Sequence, residues 1–493
     1  MTFVPTQEQL AIVEASTSSS DNLLVSALAG AAKTSTLKLI ANANPGVNML
    51  YLAFNKRIVT EMQHDLPRNC AAKTLHSLGL AAWSDSIGTR AKTDFGKMGE
   101  LFRETIRDLN KDDTAAAWKS MGFVLKSVGQ GKGAGYVPDS IEGDYKHTRL
   151  LDDFMMEQSL PEEPSPLEWG LIRYISAESI VAGHAGQVDF DDMVFLPTVF
   201  RAVFPRYALI LVDEAQDLSP LNHAMLSKLV KKRIIAVGDQ NQAIYGFRGA
   251  SEAGMSDMQE RFDMTELTLS CSFRCPQAVV EHVQWRAPHM TWWDGNPTEG
   301  VVATRAVWSL ADLPESCAII CRNNAPLFSM AIQLLQFGRY PNLWGNDVAK
   351  ALIKTMNTLG NPGTDREDAL AALRVWHEGQ MKRARSKGNL RDRMQCMKVF
   401  IENNQTLGEA LINAEHVLSS TGKIDLLTGH KSKGHEWADV YFLDQSLIGK
   451  EGQEPNLRYV IATRSKAHLT YLTSALCKER EDVGDADWEG EAE

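Results

Sequence analysis

The chain has 493 residues, of which 44% are hydrophobic and 23% charged, and its formal net charge at pH 7 is −11. This is the composition of a globular protein, and the length predicts roughly three to four domain-sized units. The apolar runs are shorter than the about 20 residues that span a bilayer, and the N-terminus lacks a secretory pattern, so we expect no membrane segment. Seven cysteines, an odd number, favour a reducing, cytoplasmic environment. Because the overall charge repels phosphate, a nucleic-acid partner would need a local basic groove.

A loop of small residues follows a predicted buried strand over 23–28 and precedes a predicted helix. It reads Ala29-Gly30-Ala31-Ala32-Lys33-Thr34-Ser35. Small residues let main-chain N–H groups approach phosphates, and a helix N-terminus adds positive potential. The lysine can reach β- and γ-phosphates, and the threonine hydroxyl can reach Mg²⁺. The match to G-x-x-x-x-G-K-[ST] is imperfect, because Ala27 and Ala32 replace the two glycines. An alanine-rich helix start with an incidental Lys-Thr is the alternative.

The carboxylates Asp213 and Glu214 directly follow a second predicted buried strand, over 209–212. In an open α/β sheet, ligands bind at the carboxyl ends of the strands. One carboxylate can hold Mg²⁺ while the next polarises an attacking water, which is the pattern of the Walker B segment of an NTPase. The alternative is an acidic turn after an ordinary core strand.

Residues 84–185 have helical periodicity and predict an inserted helical domain. A glycine-rich break at 129–135 could cradle a phosphate, but no Lys-Ser or Lys-Thr follows it, so we expect a flexible loop there. A second sheet is predicted from strands over 301–307, 318–322, 440–444 and 468–473. A charged, helical segment over 346–422 lies between the strands of this second sheet.

Three weaker signals leave alternatives open. Two C-x₃-C pairs, Cys271/Cys275 and Cys317/Cys321, could supply four ligands to a metal ion or could be free thiols in and beside strands. A basic cluster within 382–393 could contact duplex DNA backbone or form a solvated helix face. The acidic segment from 479 is expected to be disordered, as a solubilising tail or as a docking segment.

Further motifs follow in chain order, and the set resembles superfamily 1 helicases of the UvrD-like group. The resemblance is closest to the compact, F-box-DNA-helicase-like and phage-encoded branch of that group. The motifs are D-F-D-D-M at 189–193, G-D-Q-N-Q-A-I-Y-G-F-R-G-A at 238–250, S-F-R at 272–274, T-G-H-K-S-K-G-H-E-W at 428–437 and A-T-R at 462–464. One such motif is a weak signal, whereas several in the family's order are specific.

The resemblance covers residues 1–83, 186–345 and 423–475. It implies an α/β fold with two RecA-like P-loop NTPase domains, each with a parallel sheet and a helical insertion. The implied boundaries are 1–83 and 186–270 for domain 1A, 84–185 for insertion 1B, 271–345 and 423–478 for domain 2A, 346–422 for a reduced insertion 2B, and 479–493 for the acidic tail.

The resemblance also implies ATP and Mg²⁺ as substrate and cofactor. The phosphates are expected at the loop 29–35, with Lys33 and Thr34 as the phosphate-loop pair. Magnesium is expected at Thr34 and Asp213, and water activation at Glu214. The other implied nucleotide contacts are Gln9 and Phe273 at the adenine, Glu436 at the ribose, and Gln242, Arg274 and Arg464 at the γ-phosphate, with Arg464 as the arginine finger.

A second set of residues stands where the family lines its single-strand channel. The implied aromatic contacts are Phe54, Phe190, Tyr245 and Phe247. The implied polar contacts are Asn55, Lys56, Thr74, His76, Arg248, Thr428, His430 and Lys431. Base stacking is sequence-tolerant and contributes about 1–3 kcal/mol per base. Packing in the core is the alternative for each aromatic side chain.

The sequence departs from the family pattern at two motifs. Ala32 replaces the usual glycine before the lysine; a right-handed conformation there would tolerate the methyl group, whereas a close phosphate would not. Cys271 and Ser272 replace the more usual Gln-Asn. The reduced insertion at 346–422 puts regulation by a swivelling fourth domain in doubt.

The sequence therefore predicts a DNA-stimulated ATPase that acts as a DNA helicase or translocase, with 3′→5′ movement on single-stranded DNA. Expected partners are single strands and single-strand/duplex junctions, with replication or recombination proteins as further candidates, and the chain is expected to be a monomer. Two rivals are a translocase that mainly strips proteins from DNA and a DNA- or partner-binding protein with a decayed ATP site.

Overall fold

The computed structural model describes residues 4–142, 149–160, 162–246, 254–381 and 388–474. The chain divides into two compact units between Leu269 and Ser270. Within the described ranges, each unit contains a parallel six-stranded sheet with helices, which confirms the predicted α/β class. None of the helices in these ranges combines the length and apolar content that crossing a bilayer requires. Phe247, Arg248, the greater part of the basic cluster and the acidic tail lie outside the described residues.

The sheet of the first unit is parallel at every pairing among its described strands. Numbered in chain order, its strands are β1 (Asn22–Ala27), β2 (Met49–Leu52), β3 (Cys70–Lys73), β6 (Tyr207–Val212), β7 (Val230–Gly238) and β8 (Met264–Leu269). Their order across the sheet is β3-β2-β6-β7-β1-β8. The strands β4 (Lys92–Thr93) and β5 (Gln187–Val188) form a separate parallel pair.

Both faces of this sheet are covered. Along β1, Leu23 and Val25 belong to one hydrophobic cluster, whereas Leu24 belongs to the other. Strand β6 alternates in the same way. Side chains alternate across a strand, so a strand buried on both faces reads as a continuous apolar run. This is why the motif over 209–212 shows four apolar residues before its carboxylates.

Helices of the first unit surround the sheet and form the insertion. They are α1 (Gln7–Ser18), α2 (Lys33–Ala43), α3 (Lys56–Asp65), α4 (Leu75–Ser86), α5 (Lys97–Thr105), α6 (Lys111–Ala134), α7 (Asp153–Ser159), α8 (Pro166–His184), α9 (Asp192–Val199), α10 (Pro220–Leu229) and α11 (Gly254–Phe262). Helices α5, α6 and α8 share a hydrophobic core of their own, which includes Phe102, Val124 and Ile172.

The prediction of a flexible loop at 129–135 is wrong. Helix α6 continues through this segment, and Gly135 ends it in the left-handed conformation, with φ of 78°. A Cβ added at Gly131 would come within 3.1 Å of the Tyr136 ring and 3.2 Å of Met156. Close packing therefore favours glycine inside the helix and overrides its low helix propensity.

Four buried charged side chains join helices α5 and α6 to the segment at the start of α9. Lys97 Nζ lies 2.6 Å from Asp192, and Lys132 Nζ lies 2.5 Å from Asp189 and 2.7 Å from Asp192. None of the four exceeds 8% exposure. Burial acts to raise the pKa of Asp192, but Lys132 and Lys97 outweigh it and hold that pKa below its ordinary value. Two positive charges balance two negative charges, which is the condition for burying them.

The sheet of the second unit is also parallel at every pairing among its described strands. Its strands are β11 (Val301–Arg305), β12 (Cys317–Cys321), β13 (Pro341–Leu343), β14 (Ile424–Thr428), β15 (Trp437–Leu443) and β16 (Ser465–Leu472), in the order β11-β16-β15-β12-β14-β13. The predicted strands of the second sheet therefore lie in one sheet. The strands β9 (Cys271–Ser272) and β10 (Thr291–Trp292) pair separately.

Most helices of the second unit share one hydrophobic core with this sheet. The helices are α12 (Gln277–Val283), α13 (Asn324–Gln336), α14 (Asn346–Met356), α15 (Arg366–Met381), α16 (Gly388–Glu402), α17 (Leu407–Ser419), α18 (Gly429–Ser432) and α19 (Glu454–Ala462). Helices α14 to α17, which cover most of 346–422, contribute buried residues to the same cluster as α13 and the strands β12 and β14.

We expect Lys132→Met to destabilise the first unit by about 3–5 kcal/mol, because it leaves the Asp189 carboxylate without its cation and leaves Asp192 paired with Lys97 alone. Thermal unfolding followed by calorimetry measures the change. The control Lys119→Met, at an exposed position of the same helix, should stay within about 0.5 kcal/mol of wild type.

The double variant Lys132→Met/Asp189→Asn should recover part of this stability, because it removes one of the unpaired charges. Equal melting temperatures for Lys132→Met and Lys119→Met would contradict the role given to the buried charges.

Candidate nucleotide site and nucleic-acid interface

The loop between β1 and α2 is a tight turn at the carboxyl edge of the sheet. Ala31 N donates to Leu28 O at 3.1 Å, and Gly30 has φ of 76°. Left-handed residues within a turn make concavities lined by main-chain N–H groups, which bind anions. The helix N-terminus that begins at Lys33 adds positive potential at the same place.

Ala32, the N-cap of α2, adopts the left-handed conformation, with φ of 56° and ψ of 41°. The right-handed conformation that would tolerate its methyl group is therefore not the one observed. A left-handed residue with a Cβ costs roughly 1–2 kcal/mol. This conformation gives a physical reason why glycine is the better residue before Lys33.

The acidic motif meets the loop across the sheet edge. Thr34 Oγ1 donates to Asp213 Oδ2 at 3.0 Å, and Lys33 Nζ lies 3.3 Å from Glu214 Oε2. Tyr51 OH also donates to Asp213 Oδ2, at 2.6 Å. Residues far apart in the sequence are thus brought together as the two motifs predicted. Their catalytic roles stay predictions.

Burial and the neighbouring carboxylates have opposite effects on the pKa of Lys33. Burial acts to lower the pKa of Lys33, but Glu214, Asp239 and Asp213 outweigh it and hold that pKa above its ordinary value. Burial, with Glu214 nearby, raises the pKa of Asp213. Burial also raises the pKa of Asp239. Three carboxylates around one lysine favour an additional cation.

The oxygen donors here fit Mg²⁺, which commonly binds through one or two protein groups together with phosphates and water. Thr34 Oγ1 and Asp213 would be the protein groups. Across the described part of the chain, no group of three or more His, Cys, Asp or Glu side chains is arranged to hold a metal by itself. The two C-x₃-C pairs therefore gain no support as a metal site.

Three further residues of this site were not predicted. Gln216 Nε2 donates to Glu214 at 2.5 Å, and its Oε1 accepts from Asp239 N at 2.9 Å. The sequence signals were the position of Gln216 directly after the carboxylates Asp213 and Glu214 and Ala215, and that of Asp239 in the motif at 238–250. Tyr51 gave no signal, because its place beside Asp213 depends on the pairing of β2 with β6.

Two of the predicted nucleotide contacts of the first unit are held by neighbouring groups. Gln242 Nε2 donates to Asp239 Oδ2 at 2.6 Å. Gln9 is buried, accepts from Thr6 N at 3.0 Å and donates to Thr36 Oγ1 at 2.9 Å. Gln9 thereby ties α1 to the helix that follows the phosphate loop.

In the second unit, three segments that carry predicted nucleotide contacts converge. Arg274 Nε lies 2.6 Å from Glu436 Oε2, and Arg274 Nη1 donates to Thr463 O at 3.4 Å. Burial acts to raise the pKa of Glu436, but Arg274 outweighs it and lowers that pKa. The Phe273 ring lies 5.5 Å from the Trp293 ring.

Arg464, the predicted arginine finger, is 1% exposed. Its Nε donates to Val460 O at 2.8 Å and its Nη1 to His435 O at 3.3 Å. In this structure the guanidinium therefore holds main-chain carbonyls of its own unit.

The predicted strand contacts of the first unit form two stacked aromatic pairs. Phe54 and Tyr245 stack with centroids 5.7 Å apart and an interplanar angle of 7°. His76 and Phe190 stack at 3.9 Å and 24°. Phe190 is 52% exposed and Phe54 is 36% exposed, so core packing does not account for either ring. Burial lowers the pKa of His76 to about 4, so its ring is neutral at pH 7.

Two of the predicted polar contacts are helix N-caps. Asn55 accepts from Ile58 N at the start of α3, and Thr74 accepts from Ser77 N at the start of α4. Lys56 is exposed beside Asn55. In the second unit, Thr428, His430 and Lys431 lie at the end of β14 and in α18, all half-buried.

Comparison with known families gives one match over just over half of the chain. The UvrD/REP helicase N-terminal domain family matches residues 6–263. F-box DNA helicase protein 1 of Schizosaccharomyces pombe is 25% identical over 520 residues, which covers 94% of this chain and 57% of that protein. The chain thus spans little more than half the length of this relative.

One further sequence comparison and one structural comparison gave matches. The ATP-dependent DNA helicase PcrA of Leuconostoc citreum is 24% identical over 327 residues, covering 58% of this chain and 40% of PcrA. A crystal structure of Arterivirus nonstructural protein 10, a helicase, superposes with a TM-score of 0.34 and 13% identity, over 95% of this chain and 61% of that one.

We expect Ala32→Gly to stabilise the protein by about 1 kcal/mol, because glycine adopts the left-handed conformation without a Cβ clash. Ala31→Gly is the matched control, since Ala31 is buried and not left-handed; it should destabilise. Melting temperatures of the two variants should move in opposite directions. A shift of the same sign in both would contradict the strain assigned to Ala32.

We expect His76→Phe to reduce the loss of stability on acidification. The folded pKa of about 4 lies below the ordinary 6.5, so the unfolded chain takes up the proton first, and stability falls as pH drops from 6.5 towards 4. The decrease is at most about 3 kcal/mol, and a phenyl ring preserves the stack without titrating. Melting temperatures at pH 7 and pH 4.5 measure it.

His223 should account for part of the remaining acid sensitivity, because burial and Arg261 lower its pKa to about 4 as well. The double variant His76→Phe/His223→Phe should therefore be less acid-sensitive than either single variant. A pH dependence of His76→Phe identical to wild type would exclude the buried, neutral state of His76.

Proposed function

The chain belongs to the UvrD/REP helicase family, and we propose that it is an ATP-dependent DNA helicase or translocase that moves 3′→5′ on single-stranded DNA. The observation that carries the proposal is the meeting of the two nucleotide motifs. Thr34 reaches Asp213 at 3.0 Å and Lys33 reaches Glu214 at 3.3 Å, although about 180 residues separate the partners. The family match over residues 6–263 supports the same conclusion.

ATP hydrolysis is assigned to this site. Mg²⁺, when bound at Thr34 and Asp213, neutralises charge on the β- and γ-phosphates. Lys33 exchanges its ion pair with Glu214 for phosphate oxygens, which frees the Glu214 carboxylate to orient and polarise the attacking water. Gln216 Nε2 donates to the same Glu214 oxygen, Oε2, and helps to hold the carboxylate in place.

The second unit supplies the remaining nucleotide contacts in this proposal. Arg274 and Glu436 already lie together and would meet the γ-phosphate and the ribose, while Phe273 stacks on adenine. Arg464 would act as the arginine finger, and this requires its guanidinium to exchange main-chain carbonyls for phosphate oxygens.

Single-stranded DNA is proposed to run over the stacked pairs Phe54/Tyr245 and His76/Phe190. Flat aromatic rings accept any base, and the exposed rings suit a strand that moves. The helix N-termini at Asn55 and Thr74 suit phosphates of the same strand. Single-strand/duplex junctions are the proposed substrates, and replication, recombination or repair the proposed settings.

One observation favours a second candidate, a DNA-binding protein with a weakened ATP site. Ala32 holds a left-handed conformation that glycine adopts more easily, which adds strain beside the phosphates. The geometry of Lys33, Thr34, Asp213 and Glu214 favours the ATPase instead. ATPase activity with and without single-stranded DNA separates the two candidates. Unwinding of duplexes with a 3′ or a 5′ tail, beside a protein-displacement assay, then separates a helicase from a stripping translocase.

We expect Lys33→Ala to remove ATP affinity, because it deletes the cation that faces the β- and γ-phosphates. Glu214→Gln should keep ATP binding and lower turnover by at least about 10²-fold, since only the charge that polarises water is removed. Equilibrium binding of an ATP analogue and steady-state ATPase rates distinguish the two effects.

Glu266→Gln, the same change at an exposed position of β8, should leave both quantities unchanged. Rapid turnover by Glu214→Gln would remove Glu214 from the mechanism, while ATP binding by Lys33→Ala at wild-type affinity would remove Lys33.

A further inference from the structure

Three aromatic side chains gather beside β13 in the second unit. Trp344 directly follows β13, Trp437 is the first residue of β15, and His435 lies two residues before that strand. The Trp344 ring lies 4.6 Å from the His435 ring at 82°, and 6.2 Å from the Trp437 ring at 70°. All three side chains are half-buried, so the rings pack on one another and stay partly open to solvent. We call these three residues the tryptophan platform.

A single carboxylate orients both indoles of the tryptophan platform. Asp425 accepts from Trp344 Nε1 at 2.8 Å and from Trp437 Nε1 at 2.7 Å, on different oxygens. Asn342, its register partner on β13, also donates to Asp425, at 2.7 Å. Because both indole N–H groups are satisfied, the rings are fixed before any ligand arrives. A preformed aromatic surface loses little conformational entropy on binding.

A cation is fixed against the same tryptophan. Lys431 Nζ donates to Trp344 O at 2.9 Å. Gly345, the next residue, has φ of 138°, and a Cβ added there would lie 2.1 Å from Lys431 Nζ. Glycine alone combines that conformation with room for the ammonium group. The chain therefore keeps a positive charge at the edge of the tryptophan platform.

Strand β13 is the edge strand of its sheet, so no further described strand pairs with it beyond β14. A cluster that only sealed the hydrophobic core would be stabilised best by apolar neighbours. This cluster instead uses one carboxylate, three side-chain donors and a neighbouring lysine. Partly exposed rings next to a fixed cation are suited to a ligand with a flat face and a negative charge.

We propose that the tryptophan platform binds one nucleotide of single-stranded DNA. Trp344 would stack on the base, and Lys431 would pair with an adjoining phosphate. This inference rests on the proposed function, because it takes single-stranded DNA as the ligand. It adds an aromatic contact on the second unit to those on the first. Stacking accepts every base, so the contact should not depend on sequence.

The test uses the full chain and a fluorescently labelled oligo(dT), with affinity measured by anisotropy over a range of salt concentrations. Trp344→Ala should weaken binding about 5- to 100-fold, the range that corresponds to removal of one stacked base. Trp344→Phe should stay within a few-fold of wild type, since a smaller ring still stacks. Trp285→Ala is the matched control, because Trp285 is 52% exposed in the same unit and lies outside the platform.

The salt dependence of DNA affinity distinguishes the role of Lys431 from that of Trp344. For a single strand, each phosphate that the protein neutralises contributes about 0.7 to the steepness of the log–log plot of affinity against salt. Lys431→Met should therefore reduce the slope by about 0.7, whereas Trp344→Ala should leave the slope unchanged. If the cluster had a purely structural role, the two variants would not differ in their salt slopes in this way. The DNA concentration for half-maximal ATPase should rise in both variants, more than the maximal rate falls.

Several outcomes overturn the inference. Equal affinities of Trp344→Ala and Trp285→Ala would do so, as would a wild-type slope for Lys431→Met. Failure of Trp344→Phe to bind, together with a lowered melting temperature, would assign the cluster to folding alone. If wild type binds oligo(dT) and these results are found, the inference fails and the proposed function stands. If wild type binds no single-stranded DNA, the proposed function itself fails.

Discussion

Opposite charges lie close together at the carboxyl edge of the first sheet, and the candidate nucleotide site depends on this arrangement. Strands β1 and β6 run parallel with β7 between them, so the loop after β1 and the carboxylates after β6 end at the same edge. Lys33 there faces Glu214, Asp239 and Asp213. One lysine cannot balance the buried Asp213 and Asp239 together with the half-buried Glu214. This imbalance, rather than any single contact, suits the site to a nucleotide with its magnesium ion.

The second unit contains a similar turn without that imbalance. Glu214 follows β6 in the left-handed conformation and leads into a short 3₁₀ helix, and Asp444 does the same after β15. Asp444, however, accepts hydrogen bonds from Ser474 N at 2.7 Å and from Ser474 Oγ at 2.6 Å. Its charge is thus met by the end of its own sheet. The same backbone turn stabilises the fold in one unit and presents a carboxylate to the site in the other.

The order of the motifs, and the family resemblance that it supports, predicted the fold class. The two strand-and-loop motifs predicted that Lys33 and Glu214 lie at the carboxyl edge of a sheet, because parallel strands end at the same edge. Three features could not be predicted, since each depends on tertiary packing. The left-handed Ala32 is set by the turn after β1, and Tyr51 reaches Asp213 only through strand pairing. The segment 129–135 reads as a breaker by propensity, yet α6 continues to Ala134 and Gly131 packs closely against Tyr136 and Met156.

The buried charges explain why an exposed ring can be held in a fixed position. Phe190 lies between Asp189 and Asp192, which accept each other's main-chain N–H at 2.9 and 3.0 Å and pair with Lys132. The ring itself is 52% exposed and would bury more apolar surface by turning inward. The hydrogen bonds and ion pairs of Asp189 and Asp192 fix the main chain on both sides of Phe190. Moving that main chain would pull charged groups away from their partners in a low-dielectric interior, which costs several kcal/mol. Lys97 and Lys132, on helices α5 and α6, therefore stabilise the main-chain position from which the Phe190 ring projects.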